Sequence, residues 1–250
     1  MSMSQEEKDQ LAKLSGFDRG NRKSYPFITY DARKKDSLKK LNIKDVPGGE
    51  AEFIEAPIEY PAKIVILKQR RKLGSWSKND GTVTKTYTPE HNHGKEIVPL
   101  YEQVGNGKPS KVLEGNAQQM REYSDKLRAK WTLYVLHDGE VRKLKIQGKT
   151  LKNYMDWLKN LGSVKPFEKE VVLTSELEMT DNGMETYPIT FNSGEDTDFS
   201  AIAPFIKEVA EACNESDLAR TEAKPKADNS IPVVDVDDDV KEVNLDDIPY

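Results

Sequence analysis

The chain has 250 residues, 36% of them hydrophobic and 32% charged, with a formal net charge of −5. That length and apolar content allow one sizeable core and a small appendage, and they exclude a fully disordered chain. The longest purely aliphatic run, Ile64 to Leu67, is too short to cross a membrane. The single cysteine, Cys213, permits no intramolecular disulfide and fits a reducing cytoplasm.

The overall acidity hides a strong internal asymmetry. From Glu215 to Tyr250 there are 11 acidic and 4 basic residues, a net charge of −7, which leaves +2 for residues 1–214. Between Tyr60 and Lys165, 21 Lys or Arg face 10 Asp or Glu, an excess of +11. A basic middle of this size supplies the sequence-independent attraction for phosphates on which nucleic-acid binding rests.

In chain order, the opening Met-Ser-Met-Ser-Gln-Glu-Glu-Lys has no apolar region of the kind a secretory signal needs. Residues 4–14 form at best a short charged helix. Residues 1–59 read as an N-terminal arm without a core of its own, partly helical over Arg33 to Leu41 and broken at Pro47-Gly48-Gly49. From Ala62 the pattern changes. Lys63 to Lys68 is a buried strand that runs on into Arg70, Arg71 and Lys72. A loop with Trp76 and the Asn79-Asp80-Gly81 turn follows, and Thr82 to Tyr87 returns as the second strand of a hairpin. Lys68, Arg70, Arg71, Lys72, Trp76, Lys85 and Tyr87 make a first candidate patch. An indole bracketed by cations serves either to stack on a base or to anchor its loop.

Glu96 to Val104 suits a further strand despite Pro99. Gly105-Asn-Gly-Lys-Pro is a loop that lacks the spacing of a phosphate-binding P-loop. Asn116 to Lys130 has helical periodicity, with Met120, Tyr123 and Leu127 on one side. The strongest local signal is Trp131 to His137, Asp138-Gly139, and Glu140 to Gln147. A two-residue Asp-Gly turn sets His137 opposite Glu140, Tyr134 opposite Lys143, Thr132 opposite Lys145 and Trp131 opposite Ile146. Trp131, Leu133, Val135, Leu144 and Ile146 then share a core face. Tyr134, Lys143 and Lys145 share the other with Thr132, Leu136 and Val141. A ring among ammonium groups is what sequence-tolerant single-strand binding uses. The same face is equally consistent with a covering helix that leaves the lysines at its rim.

Thr150 to Leu161 is an amphipathic helix with Leu151, Tyr154, Met155, Leu158 and Leu161 inward and Trp157 at the border of that stripe. Val171 to Met179 and Met184 to Phe191 form a hairpin around Asp181-Asn182-Gly183. Ile202, Ile206, Val209 and Cys213 line a closing helix whose start Pro204 restricts. The fold class expected is mainly β, with two or three helices decorating a partly open antiparallel barrel over residues 60–213. From Asn214 the periodicity stops, and the composition is that of a disordered acidic tail.

No Gly-x-Ser-x-Gly, Walker or dinucleotide motif occurs, and His91-Asn92-His93 is a weak metal pattern. The chain therefore reads as a binding protein without cofactor or metal, and not as an enzyme.

The last residues are Asn244-Leu245-Asp246-Asp247-Ile248-Pro249-Tyr250. Acidic residues leading into Ile-Pro-aromatic at a C-terminal carboxylate suit capture by a basic-rimmed pocket. This tip resembles the Asp-Asp-Ile-Pro-Phe ending of bacterial single-stranded DNA-binding proteins, with Tyr250 in place of Phe. The resemblance implies an OB-fold body that holds single-stranded DNA. It also implies a tip, Asp246, Asp247, Ile248, Pro249 and Tyr250, that recruits replication, recombination and repair enzymes. The body here is about twice the usual length and the linker is short, closer to the divergent proteins of phages and mobile elements. Two other classes fit the residues: an adaptor that uses the tip to bind the same enzymes without touching DNA, and an accessory factor whose basic hairpins grip duplex or RNA.

Overall fold

The computed structural model describes residues 25–44, 52–180 and 182–222. The expected helix at residues 4–14, the part of the acidic tail beyond residue 222 and the tip Asp246–Tyr250 lie outside them, whereas residues 214–222, read from the sequence as the start of that disordered tail, continue the last helix. The described chain is mainly β. Strands β1 (Phe27–Thr29), β2 (Lys39–Lys44), β3 (Glu52–Pro57), β4 (Ala62–Asn79), β5 (Thr82–Tyr87), β6 (Val98–Val104) and β7 (Ser110–Gly115) lead to helix α1 (Ala117–Tyr123). The hairpin β8 (Arg128–His137) and β9 (Glu140–Gln147), helix α2 (Gly148–Leu161) and β10 (Lys169–Ser175) follow. A small ribbon, β11 (Glu178–Met179) and β12 (Glu185–Thr186), then β13 (Ile189–Asp196) and helix α3 (Phe199–Glu222) complete it.

One sheet runs in the order β3-β2-β1-β9-β8-β4-β5-β6-β7, with β10 joining β4 and β13 joining β10. It is mixed, because β1 pairs parallel to β9 while the other pairings are antiparallel. The path from β3 to β7 does not close on itself.

Strand β4 organises the rest. Along one edge it pairs with β8 from Val65 to Gly74. Along the other it meets β10 at Ala62 to Val65 and β5 at Gly74 to Asn79. The backbone of His91 fills the gap by exchanging hydrogen bonds with Arg71. A register shift between Ile66 and Lys68 leaves Leu67 as an extra residue, a bulge that bends the strand and swaps which side chains face which layer. Before it the even residues Ile64 and Ile66 face the main core and Leu67 the second; after it the odd residues Gln69, Arg71 and Leu73 take over the core-side face.

The β8–β9 hairpin has the register that its Asp-Gly turn dictates: His137 opposite Glu140, Tyr134 opposite Lys143, Thr132 opposite Lys145 and Trp131 opposite Ile146. Asp138 and Gly139 both have positive φ, 51° and 75°, as a turn matched to the right-handed strand twist requires. Its Trp131, Leu133, Val135, Leu144 and Ile146 face is the floor of the main core. Helix α2 lays Leu151, Tyr154 and Trp157 on that floor, and Val171, Leu173, Ile189 and Phe191 of β10 and β13 close the side. Tyr154 is wholly buried at the centre, edge-on to Trp131 and stacked against Trp157, with both ring centres 5.8 Å away. Its hydroxyl donates to Gln69 Oε1 at 2.8 Å, and Trp157 Nε1 donates to Ser193 Oγ at 3.0 Å. The border residue Trp157 is thus a core residue whose one polar atom is satisfied.

On the opposite face, α3 places Ile202, Val209 and Cys213 over Tyr25, Leu67, Tyr134 and Val141. A third cluster, Leu73, Val98, Leu100, Met120 and Leu127, sits beneath α1.

Several expectations change in the folded chain. Arg33 to Leu41 is not a helix: Lys39 to Leu41 pair with β1 in β2, and Leu38 is buried in the main core. Ile28, Leu38 and Ile58 of the arm belong to that same core. The helix read over Asn116 to Lys130 ends at Tyr123. Asn116 caps its start, accepting from the backbone N–H groups of Gln118 and Gln119 at 3.0 Å, but Arg128 to Lys130 pair with Gly74 to Lys72 as strand. Tertiary pairing overrides the local periodicity there. Pro204 lies inside α3, five residues past its start. Trp76 stands in β4 opposite Lys85 and not in a loop, because the strand continues to Asn79.

Candidate nucleic-acid interface

The second face of the β8–β9 hairpin is divided. At one end α3 covers it; at the other it opens into a cleft of about 1310 Å³. The floor of the cleft is the continuous surface that β1, β9, β8, β4 and β5 present together. Strand pairing explains who shares it. Lys145 lies opposite Thr132, Thr132 opposite Arg70, Phe27 opposite Lys143, Gly74 opposite Tyr87 and Trp76 opposite Lys85, and alternate residues along each strand repeat the same face.

Rings and cations interleave along this surface. Trp76 is 67% exposed, and nothing in the apolar clusters claims its indole. Tyr87 carries Lys72 Nζ 4.8 Å from its ring centre, and Phe27 carries Lys145 Nζ at 4.7 Å. Such pairs hold an ammonium beside a ring face while leaving it in contact with solvent. Lys85, Lys130 and Lys145 line the cleft and have no carboxylate partner among the described residues. Two other cations at the rim are already paired: Arg33 with Asp31 at 3.0 Å and Lys149 with Glu178 at 3.0 Å. Glu90 is the acidic spot in the floor, where its Oε1 accepts from Thr132 Oγ1 at 2.6 Å.

Of the residues singled out in the sequence, Lys72, Trp76, Lys85, Tyr87 and Lys145 meet in this cleft. Five others do not. Tyr134 is only 5% exposed; α3 covers its ring, which meets Tyr25 edge-on at 5.8 Å. Burial pushes its phenol well above the usual range. A base cannot stack on it in this arrangement, so the covering-helix alternative describes it. Lys143 is caged by rings, with Nζ 5.5 to 5.9 Å from the centres of Tyr134, Tyr25 and Phe27, and burial lowers its pKa. Lys68 lies opposite Tyr134, outside the cleft lining. Arg70 is 1% exposed and donates from Nη2 to the Glu90 carbonyl, a framework contact and not a phosphate clamp. Arg71 points to the opposite side, its guanidinium 4.5 Å from the centre of the Trp131 ring. Strand alternation alone splits the Arg70-Arg71-Lys72 run across two faces. The tip residues Asp246, Asp247, Ile248, Pro249 and Tyr250 lie outside the described residues.

Sequence reasoning missed Phe27 and Lys130. Phe27 reaches the cleft through the parallel β1–β9 pairing, a non-local contact without a local signature. Lys130 was hidden by the helical periodicity that ran into β8.

His91 is a structural residue. It is 2% exposed, with Nδ1 3.1 Å from the Pro89 carbonyl, and burial holds its imidazole below the ordinary 6.5. The folded state favours the neutral ring, whereas the unfolded chain titrates near 6.5. Its contribution to stability is therefore complete above that pH and is lost as pH falls toward the folded value. The melting temperature is expected to drop between about pH 7.5 and 5.5, and His91→Gln should flatten that slope in a thermal melt series. An unchanged slope would refute the assignment.

Compared with protein-family models, with curated proteins and with solved structures, the chain matches none. Among the described residues, no helix is long and apolar enough to cross a membrane.

Proposed function

We propose that the cleft binds single-stranded DNA without strong sequence preference, and that the acidic tip docks replication, recombination and repair enzymes. The observation that carries this reading is an exposed indole, Trp76, set among Lys72, Lys85, Lys130 and Lys145 in one open cleft. Rings accept any base by stacking while ammonium groups follow the phosphates. In this scheme Trp76, Tyr87 and Phe27 offer the stacking surfaces. The body is, in the same proposal, an enlarged OB-like barrel. Support comes from β4, which bulges at Leu67 and serves different partners at its two ends, the way a strand turns a barrel corner. The resemblance of the tip supports the partner half of the proposal.

The test is a titration of labelled oligothymidine and of duplex at two salt concentrations. Tight binding to the single strand is expected, with weak duplex binding. Four lysines neutralising phosphates give a log–log salt slope of roughly −3. No binding to either, even in dilute buffer, would defeat the proposal and favour the adaptor that uses only its tip. Removing Pro249 and Tyr250 should abolish capture of partner enzymes and leave oligothymidine affinity intact; persistent capture in a pull-down would rule out the docking role.

A further inference from the structure

Behind β4, on the face away from the cleft, lies a second recess of about 80 Å³. Its walls include Arg71 of β4, His91 and Gly94 of the loop after β5, Arg121 of α1 and Trp131 of β8. No Asp or Glu lines it. The Arg71 guanidinium carbon lies over the Trp131 ring, 4.5 Å from its centre, and its Nε is buried without a hydrogen-bond partner. Arg121 has no ion pair among the described residues. Burial lowers the pKa of both arginines, and no neighbouring carboxylate opposes that shift. Glu96, the carboxylate of the adjoining loop, is occupied by the backbone N–H groups of Asn92 at 2.8 Å and His93 at 3.4 Å. A guanidinium stays charged at any ordinary pH, and a half-buried cation without counter-charge is costly.

We propose that this recess is a binding site for a single phosphate group, held between the Arg71 and Arg121 guanidinium groups. Their planar forks suit a tetrahedral oxyanion better than a point charge does. The volume exceeds the roughly 30 Å³ of one water and falls below the several hundred Å³ of a small-molecule pocket. It therefore admits one phosphate and not a whole nucleotide. The phosphate is supplied either free in solution or by a nucleic-acid strand reaching this face. Lys72 and Trp131 border both the recess and the cleft, but Arg71 and Arg121, the two groups that would hold the phosphate, line the recess alone.

The experiment follows the arginine Nε–H and tryptophan indole resonances of the full chain during addition of sodium phosphate, against sodium chloride at equal ionic strength. Saturable shifts at Arg71, Arg121 and Trp131 are expected with phosphate alone. Arg121→Gln should weaken the apparent affinity about tenfold, and Arg121→Lys should restore part of it. Oligothymidine with a 5′-phosphate and with a 5′-hydroxyl separates the sources. Shifts at the three residues with both identify a backbone phosphate, shifts with the first alone a terminal one, and shifts with inorganic phosphate alone a free ion. Shifts that do not saturate, that chloride reproduces, or that saturate with unchanged affinity in Arg121→Gln would overturn the site. Trp76→Ala should leave the phosphate shifts in place, so loss of cleft binding and loss of this site are read separately.

Discussion

Replacing Trp76 with alanine is expected to cost roughly tenfold in affinity for oligothymidine, within the about 1 to 3 kcal/mol that one stacked base contributes. Stability should change by no more than about 0.5 kcal/mol, because the indole is two-thirds exposed and packs in none of the apolar clusters. The separation of the two effects makes the experiment decisive. A residue that merely supports the β4–β5 hairpin would lower the unfolding midpoint along with the affinity. Fluorescence anisotropy with oligothymidine and a urea melt on the same preparation measure both. Unchanged affinity would remove the central stacking residue from the proposal.

Tyr134→Ala should behave in the reverse manner. Its ring is buried between Tyr25, Val141 and the Ile202, Val209 and Cys213 stripe of α3. Truncating a large buried ring costs about 3 to 5 kcal/mol, through lost transfer energy and the cavity left behind. The variant is expected to unfold at markedly lower urea, whereas its folded fraction binds oligothymidine as the parent does. Tyr134→Phe keeps the ring and should recover most of the loss. A stable Tyr134→Ala protein with weakened binding would return this side chain to the interface and contradict the packing under α3.

The contrast between Trp76 and Tyr134 shows what a linear pattern conveys. In the fold both are aromatic residues on strands with lysines across from them, and from sequence, where Trp76 reads as a loop residue and Tyr134 as a strand residue, both are stacking candidates. Pairing register was readable at β8–β9 because the two-residue Asp138-Gly139 turn admits one alignment. The core face of that hairpin and the inward stripe of α2 were readable for the same local reason: period 2 and period 3.6 fix which residues point together. Asn116 to Lys130 was misread because Arg128 to Lys130 take their partners from β4, far away in the chain, and Arg33 to Leu41 because Lys39 to Leu41 pair with the nearby β1, which carries no strand signal of its own in the sequence.

By itself the sequence determined the register of the Asp138-Gly139 hairpin, the alternation of its two strands, the inward stripe of α2, and the separation of a basic middle from an acidic end. Only the tertiary structure decided which faces solvent reaches. That depends on where α3 lies on the sheet and on the parallel docking of β1 beside β9, which bring residues more than a hundred positions apart into contact. No local period encodes such a placement, because it is set by which large apolar surfaces remain uncovered once the hairpins have formed.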